Sequence, residues 1–340
     1  MTIATRSVSI IIPTFNGASR IGSCLDALLP QASAHKAEII VVDDGSEDNT
    51  ADAVRQYPAV RLISQANAGP AAARNHGAQE AWGEIIVFTD DDCVPIPSWL
   101  DAMLKPFEDL EVVGTKGIYG TRQPSPVARF VQLEYEDKYR TMAKFPYIDF
   151  IDTYAAAFRR DKFLEIGGYD TSFPVACAED VELSYRMSAR GWKMKFAPEA
   201  VVYHTHPDTL SGYLRKKYKF AFWRMLALRK NPEKAVKDSH TPQLMKLQLL
   251  FPPALLAGLG IDVAARPAIP VSVVVLAAFL ISTVPFALRA AAKDTLVGLL
   301  SPLLLVARAS AQLLGVVGGV IYASRQHTRN LGAAGQIGLR

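Results

Sequence analysis

The stretch EIIVFTDDD, residues 84–92, places three consecutive aspartates directly after a short apolar run. Such a run without polar alternation predicts a strand that is buried on both faces, as in a parallel sheet. The same pattern, an apolar run followed by polar residues, occurs twice upstream: VSIIIPTFN spans residues 8–16 and EIIVVDDGS spans residues 38–46. Helical patterns separate these strands, so the sequence predicts an α/β fold with a doubly wound, mainly parallel, Rossmann-like sheet.

Ligands of such sheets bind at the carboxyl ends of the strands, and here that edge is acidic. Strands are expected at residues 8–12, 38–42, 60–64 and 84–89, with helices at residues 18–29, 49–56 and 69–80. Asp43 and Asp44 follow one strand, and Asp90, Asp91 and Asp92 follow another. No glycine-rich phosphate loop follows a strand, which disfavours a dinucleotide-binding domain or an NTPase. Because carboxylates repel phosphate, the edge predicts a Mg²⁺ or Mn²⁺ ion that holds a phosphorylated ligand.

Composition excludes several other classes of protein. The 340 residues carry a formal net charge of only +4, so nothing indicates a nucleic-acid-binding protein. Cys24, Cys93 and Cys177 lack the CxxC spacing of a zinc site and are too few for a disulfide framework.

The apolar residues, half of the chain overall, are concentrated after residue 244. Three apolar stretches cover residues 247–265, 269–288 and 296–323. A membrane-spanning helix needs about 20 apolar residues, and the middle stretch meets this without any charge. The first stretch contains Asp262 and the third contains Arg308, whose insertion costs about 2.5–3.5 kcal/mol. We therefore expect transmembrane or interfacial helices here, with a buried helical subdomain as the alternative.

Charge placement predicts how the chain meets the membrane. The first residues do not read as a signal peptide. Basic residues are dense over residues 215–237, and Arg325, Arg329 and Arg340 follow the last apolar stretch. Both ends are therefore expected on the cytosolic side of the inner membrane, with the N-terminal part facing the cytosol. Two crossings fit this arrangement and three would place the tail outside, so both counts stay open.

Six motifs, in this order, resemble those of family 2 inverting glycosyltransferases with the GT-A fold. They are SIIIPTFN, VVDDGSEDNT, GPAAARNHG, IIVFTDDDC, AAAFRRDKFLEIGGYD and AEDVELSYRMSARGW. The resemblance covers roughly residues 7–225 and implies a catalytic domain over residues 1–237. Its nucleotide-sugar half would span about residues 7–120 and its acceptor half about residues 121–237. Membrane helices at residues 244–323 and a basic tail at residues 324–340 would complete the chain.

The resemblance implies a group of side chains that bind the nucleotide. Its members are Pro13, Thr14, Phe15, Asp44, Arg74 and Asp90. Asp44 would pair with the base, typically uracil, and Asp90 would lie near the ribose. Of the other aspartates in these motifs, Asp43 is expected to cap a turn and Asp91 to be a solvent-facing spacer.

The resemblance also implies a base and a metal site. Asp180 would take the proton from the acceptor hydroxyl, whereas the alternative is that Glu179 and Asp180 only cap the helix expected at residues 181–190. Asp92 would bind the divalent cation. His204 would be either a further metal ligand or a structural histidine.

The expected function is the transfer of one sugar from a nucleotide sugar, typically a UDP-sugar, to a hydroxyl of a lipid-linked glycan. The QxxRW motif of processive relatives is absent, which argues for one sugar per encounter. A basic and aromatic segment at residues 215–224 suits an anionic membrane surface. Residues 125–148 are expected to form a flap on the acceptor side. Alternatives are a polyprenyl-phosphate glycosyltransferase and a non-catalytic membrane subunit with a decayed transferase domain.

Overall fold

The computed structural model describes residues 6–172, 178–230, 232–235 and 238–337, without the side chains of residues 230, 233, 235 and 325–337. Cys177 and the side chains of Arg325, Arg329 and Arg340 therefore lie outside the described residues. The chain forms two compact units. The sheet unit contains the described residues of 1–122, 139–206 and 238–240, and the helical unit those of 123–138, 207–237 and 241–340.

The sheet unit is built on an eight-stranded sheet. Its strands are β1 (Val8–Thr14), β2 (Glu38–Asp43), β3 (Val60–Ser64), β4 (Ile85–Phe88), β5 (Val94–Pro95), β6 (Val112–Gly120), β7 (Ala156–Arg159) and β8 (Lys193–Tyr203). They lie in the order β3-β2-β1-β4-β7-β6-β8-β5. The four N-terminal strands are parallel, which confirms the doubly wound half of the fold. β7 then pairs antiparallel with both β4 and β6, and β5 pairs antiparallel with β8, so the sheet as a whole is mixed.

Twelve α-helices lie in the described chain. They are α1 (Ile21–His35), α2 (Thr50–Arg55), α3 (Pro70–Glu80), α4 (Trp99–Leu104), α5 (Pro126–Met142), α6 (Arg160–Glu165), α7 (Glu179–Ala189), α8 (Leu210–Lys230), α9 (Gln243–Gln248), α10 (Phe251–Ala265), α11 (Val271–Ala291) and α12 (Thr295–Ile337). Short 3-10 helices cover residues 105–108, 153–155 and 232–235. Most of the expected flap at residues 125–148 is helical, because α5 occupies residues 126–142, and its place on the acceptor side stays a prediction.

The core of the sheet unit follows from the apolar patterns. Every residue of β1 is buried, as a strand covered on both faces requires. α1 turns Ile21, Leu25 and Leu28 inward at helical spacing, and all three are fully buried. The helix ends at Lys36, which adopts a left-handed backbone conformation. Its N–H caps the last turn by donating to the carbonyls of Ala32 and Ser33.

The helical unit contains three helical segments that are long and apolar enough to span a membrane. They are Gln243–Ala265, Val271–Ala291 and Thr295–Ser324. All three expected stretches are therefore helical, and Leu256, Val263 and Leu299 expose at least two-thirds of their surface. Apolar side chains exposed along such helices suit contact with lipid, so the segments are consistent with membrane association and a fully buried subdomain is not favoured.

The two charges within the expected stretches 247–265, 269–288 and 296–323 have partners. Asp262 accepts hydrogen bonds from the backbone N–H groups of Val271 and Ser272 and thereby caps the start of α11. Arg308 is 2% exposed, and its guanidinium lies 2.8 Å from Glu134 of α5. The charge in the third stretch is thus buried in protein rather than exposed to lipid.

Candidate active site

Asp92 and His204 are brought together by a very short strand. β5 begins two residues after Asp92, and its Val94 pairs antiparallel with Tyr203 at the end of β8. The backbone N–H of His204 donates to the carbonyl of Gly120 at 3.0 Å, which fixes the position of the histidine. As a result, His204 Nδ1 lies 3.3 Å from Asp92 Oδ1.

This pair has the composition of a divalent-cation site. One donor atom each from Asp92, Cys93 and His204 lie within 4.8 Å of one another. His204 Nδ1 is buried and faces the carboxylate of Asp92, so a cation bound at this point would contact both side chains. Burial raises the pKa of the Cys93 thiol well above its ordinary value, and Asp90 and Asp92 add to the rise. Since Mn²⁺ and Mg²⁺ prefer oxygen and nitrogen donors to sulfur, the carboxylate and the imidazole are the ligands offered to such an ion.

Asp92 is ready to act as an anion. Burial opposes its ionisation, but His204 and Arg20 outweigh that effect and hold the pKa of Asp92 below its ordinary value. A carboxylate must be deprotonated to bind a metal, so this environment suits a cation ligand.

Asp91 is not the solvent-facing spacer that the sequence suggested. It is 7% exposed, accepts a hydrogen bond from the hydroxyl of Thr14 at 2.5 Å and pairs with Arg20 at 2.8 Å. These contacts bind residues 90–92, here called the aspartate turn, to the end of β1 and to Arg20, which directly precedes α1. The side chain of Thr14 is therefore engaged with protein at the edge of the sheet.

The other residues expected to bind the nucleotide lie at the same edge. Asp44 is buried, and its carboxylate accepts hydrogen bonds from Gln65 and from the backbone N–H groups of Ala68 and Gly69 at 2.7–2.9 Å. It therefore organises the loop before α3, and recognition of a base stays a prediction.

Three neighbours complete this part of the edge. Pro13 is buried within β1, opposite Val42 of β2. Phe15 exposes 43% of its surface, so its ring is accessible to a ligand. Asp43 caps the following turn by accepting the backbone N–H of Ser46 at 3.0 Å.

Arg74 joins the aspartate turn to the start of α7. Its guanidinium lies 2.7 Å from Asp90 and 3.3 Å from Glu179, and the side chain is 3% exposed. Its Nε is buried and has no partner among the described residues. Two of the three guanidinium nitrogens are thus used within the protein, and the expected contact with the nucleotide stays a prediction.

Asp180 occupies the first turn of α7, beside Glu179. Glu179 is buried against Arg74, whereas Asp180 is partly exposed, so the two neighbouring carboxylates face different surroundings. Burial raises the pKa of Asp180 well above its ordinary value, and the negative charges of Glu179 and Asp152 add to the rise. The N–H of Val181, which donates to Asp180 at 2.7 Å, acts in the opposite direction. A carboxylate with a raised pKa accepts a proton more readily, as a general base must.

Sequence reasoning missed two residues that shape this site. Asn75 exchanges two hydrogen bonds of 2.8 Å with the backbone of Tyr169 and so clamps the GGYD turn. The second is Lys116 of β6, which is 1% exposed and pairs with Asp152. A lysine between Thr115 and Gly117 in an otherwise apolar strand was the available signal.

A parallel half-sheet with acidic strand ends, joined to a mixed half that supplies a histidine, is typical of the GT-A class of glycosyltransferase fold. Two family models match the chain. "Glycosyl transferase family 2" matches residues 9–167, and "Glycosyl transferase family group 2" matches residues 136–309; each covers about half of the chain. The chain belongs to the family 2 glycosyltransferases.

Known proteins resemble the chain over part of their length. It is 26% identical over 221 residues to the pre-mycofactocin glycosyltransferase of Mycobacterium tuberculosis, a match that covers 62% of this chain and 45% of the relative. It is 39% identical over 107 residues to glycosyltransferase AglE of Haloferax volcanii, which covers 30% of this chain and 35% of the relative. The chain thus spans less than half of these relatives.

A solved structure resembles the fold over most of the chain. It is the mannosyltransferase PcManGT from Pyrobaculum calidifontis, in complex with GDP-Man and Mn²⁺. The match has a TM-score of 0.60 at 23% identity and covers 92% of this chain and 86% of the other. At that identity the likeness shows a shared fold.

Proposed function

We propose that this enzyme transfers one sugar from a nucleotide sugar to a hydroxyl group of a lipid-linked glycan, with inversion at the anomeric carbon. The observation that carries the proposal is the convergence of two features at one sheet edge. The Asp92–His204 pair lies there, and Arg74 joins the same aspartate turn to the start of α7, where Asp180 lies.

Asp92 and His204 would hold Mg²⁺ or Mn²⁺, with Asp90 beside the ribose. When bound, the cation stabilises the negative charge that develops on the leaving diphosphate. Phe15 supports base binding at this edge, because it is exposed and follows Thr14, whose carbonyl accepts the backbone N–H of Asp44 at 2.9 Å. A UDP-sugar is the expected donor, although the structural neighbour solved with GDP-Man makes GDP-sugars worth testing.

Asp180 would act as the general base. It would accept the proton of the acceptor hydroxyl while that oxygen attacks the anomeric carbon from the face opposite the diphosphate. Its partial exposure supports this role over Glu179, which is buried against Arg74.

The acceptor is proposed to lie in the same membrane as the enzyme, at the cytosolic face of the inner membrane. Support comes from the three helical segments that could span a membrane and from the basic helix α8, in which Arg215 and Lys219 are exposed. Anionic lipid head groups attract such residues by about 1 kcal/mol each.

The test uses the full chain in detergent with Mn²⁺ and a panel of UDP-glucose, UDP-galactose, UDP-N-acetylglucosamine and GDP-mannose. Release of the nucleoside diphosphate is measured for the wild type and for Asp180→Asn. We expect Asp180→Asn to lose about 100-fold or more of the rate while UDP affinity, measured by calorimetry, is retained. Asp161→Asn is the matched control, because Asp161 is an exposed carboxylate in the first turn of α6.

Two results would contradict these assignments. Equal turnover by the wild type and Asp180→Asn would exclude Asp180 as the base. Unchanged Mn²⁺-dependent UDP affinity in Asp92→Ala would exclude the metal site. For the acceptor, proteoliposomes that contain a polyprenyl diphosphate saccharide should yield a labelled lipid product. A product formed only with polyprenyl monophosphate would instead identify a polyprenyl-phosphate glycosyltransferase.

A further inference from the structure

A buried lysine in β6 faces the region of the proposed base. Lys116 is 1% exposed, and its ammonium group pairs with the carboxylate of Asp152. The same nitrogen lies 3.0 Å from the hydroxyl of Tyr154 and 5.6 Å from the ring centres of both Tyr139 and Phe150. Burying an ammonium group is costly unless an anion compensates it, so Lys116 and Asp152 depend on each other.

Asp152 is held close to Asp180 by a serine of α7. The hydroxyl of Ser184 lies 2.6 Å from the carbonyl of Asp180 and accepts the backbone N–H of Ile151 at 3.0 Å. The residue before Asp152 is thus locked to the helical turn that begins at Asp180. Both Lys116 and Asp152 act electrostatically on Asp180.

We propose that Lys116 is a positioning residue for Asp180: it neutralises Asp152 and so removes a negative charge that would oppose the ionisation of Asp180. The inference rests on the proposed role of Asp180 as the base. Lys116 reaches Asp180 through Asp152 and need not contact either sugar.

The charges around Asp180 explain why this cation matters. Glu179 of α7 and Asp152 are anions, Arg74 of α3 is a cation already shared between Asp90 and Glu179, and the phenol of Tyr169 also acts on the site. Lys116 is a second cation that acts on Asp180. Without it, Asp152 and Asp180 would be two carboxylates in a partly buried site, and each would oppose the ionisation of the other.

The decisive variant is Lys116→Met, which removes the charge but keeps an unbranched apolar side chain. We expect the acid limb of the pH profile for nucleoside diphosphate release to shift to higher pH by about one unit. At pH values on that limb, the rate should therefore fall roughly tenfold. The rate should recover at higher pH. The double variant Lys116→Met/Asp152→Asn removes both charges, so its acid limb should return toward the wild-type position.

A matched control removes a lysine–aspartate pair from the neighbouring strand. Lys195 of β8 lies 3.1 Å from Asp109, and the two side chains are each about one-third exposed. Lys195→Met should leave the acid limb in place. An acid limb that does not move in Lys116→Met, or that stays shifted in the double variant, overturns the inference.

A second measurement needs no substrate. Removing Lys116 raises the pKa of the remaining carboxylates, and a group with a raised folded-state pKa loses stability as pH rises through that value. The unfolding temperature of Lys116→Met should therefore fall further below that of the wild type as pH rises above about 4, the ordinary pKa of an aspartate. The double variant should abolish this trend. A pH-independent deficit would overturn the inference. Activity retained by Asp180→Asn would instead refute the proposed base while this stability trend persists.

Discussion

Replacing Glu134 by glutamine should destabilise the helical unit more than any single change to its partners. Glu134 is 1% exposed. Its carboxylate forms ion pairs with Arg308 at 2.8 Å and Lys217 at 2.9 Å, and it accepts a hydrogen bond from the hydroxyl of Tyr213 at 2.9 Å. Arg308 also contacts Gln248. Burial alone would raise the pKa of Glu134, but the two cations outweigh it and lower the pKa to about 2.

The expected cost follows from what each variant leaves behind. Glu134→Gln leaves Arg308 buried in an apolar helix without a counter-charge, a situation that costs about 3–5 kcal/mol. Arg308→Met leaves Glu134 still paired with Lys217, which is 12% exposed, so we expect about 1–2 kcal/mol. In the double variant the buried arginine is gone and Lys217 can reach water. It should therefore recover more than half of the loss caused by Glu134→Gln.

The assay is thermal unfolding of the full chain in detergent, followed by circular dichroism. At about 2–4 °C for each kcal/mol, Glu134→Gln should lower the unfolding temperature by about 10 °C. Arg289→Met is the matched control, because Arg289 pairs with Asp137 of the same helix α5 but is 40% exposed, and such pairs contribute about 0–1 kcal/mol. Additive losses in the double variant, or a loss below about 1 kcal/mol for Glu134→Gln, would refute the reasoning.

Three further predictions follow from single contacts. Because the folded-state pKa of Glu134 lies below its ordinary value, its contribution to stability is present at neutral pH and lost as pH falls from about 4.5 toward about 2; acid unfolding of Glu134→Gln should lack this component. Arg74→Lys cannot bridge Asp90 and Glu179 as a planar guanidinium does, so we expect about a tenfold or greater loss of turnover with an unchanged circular dichroism spectrum; full activity would contradict the bridge. Asn75→Ala removes both hydrogen bonds to the backbone of Tyr169 and should cost about 1–3 kcal/mol of stability in a denaturant titration, whereas no loss would show that the turn holds without its clamp.

The parallel half of the sheet could be predicted because its signals are local. An apolar run followed by a turn identifies a strand and its carboxyl end without knowledge of any distant residue. β5 could not be predicted in this way, since Val94 and Pro95 are too few to form a pattern. Yet this two-residue strand brings Asp92 to His204, which is 112 positions away in the chain. The aspartates were therefore found from sequence spacing, whereas the placement of the histidine required the fold.

Buried cations are the feature that sequence reasoning treats least well. Arg308 was counted as a cost of insertion, and Lys116 did not stand out, because the anion that compensates each one is distant in sequence. Glu134 lies 174 positions from Arg308, and Asp152 lies 36 positions from Lys116. A cation in an apolar segment thus predicts that the fold places an anion beside it. It does not predict which residue that anion is. For both pairs the double variant is therefore the more discriminating experiment. It removes the cation and its anion together, and recovery occurs only if each charge was there to compensate the other.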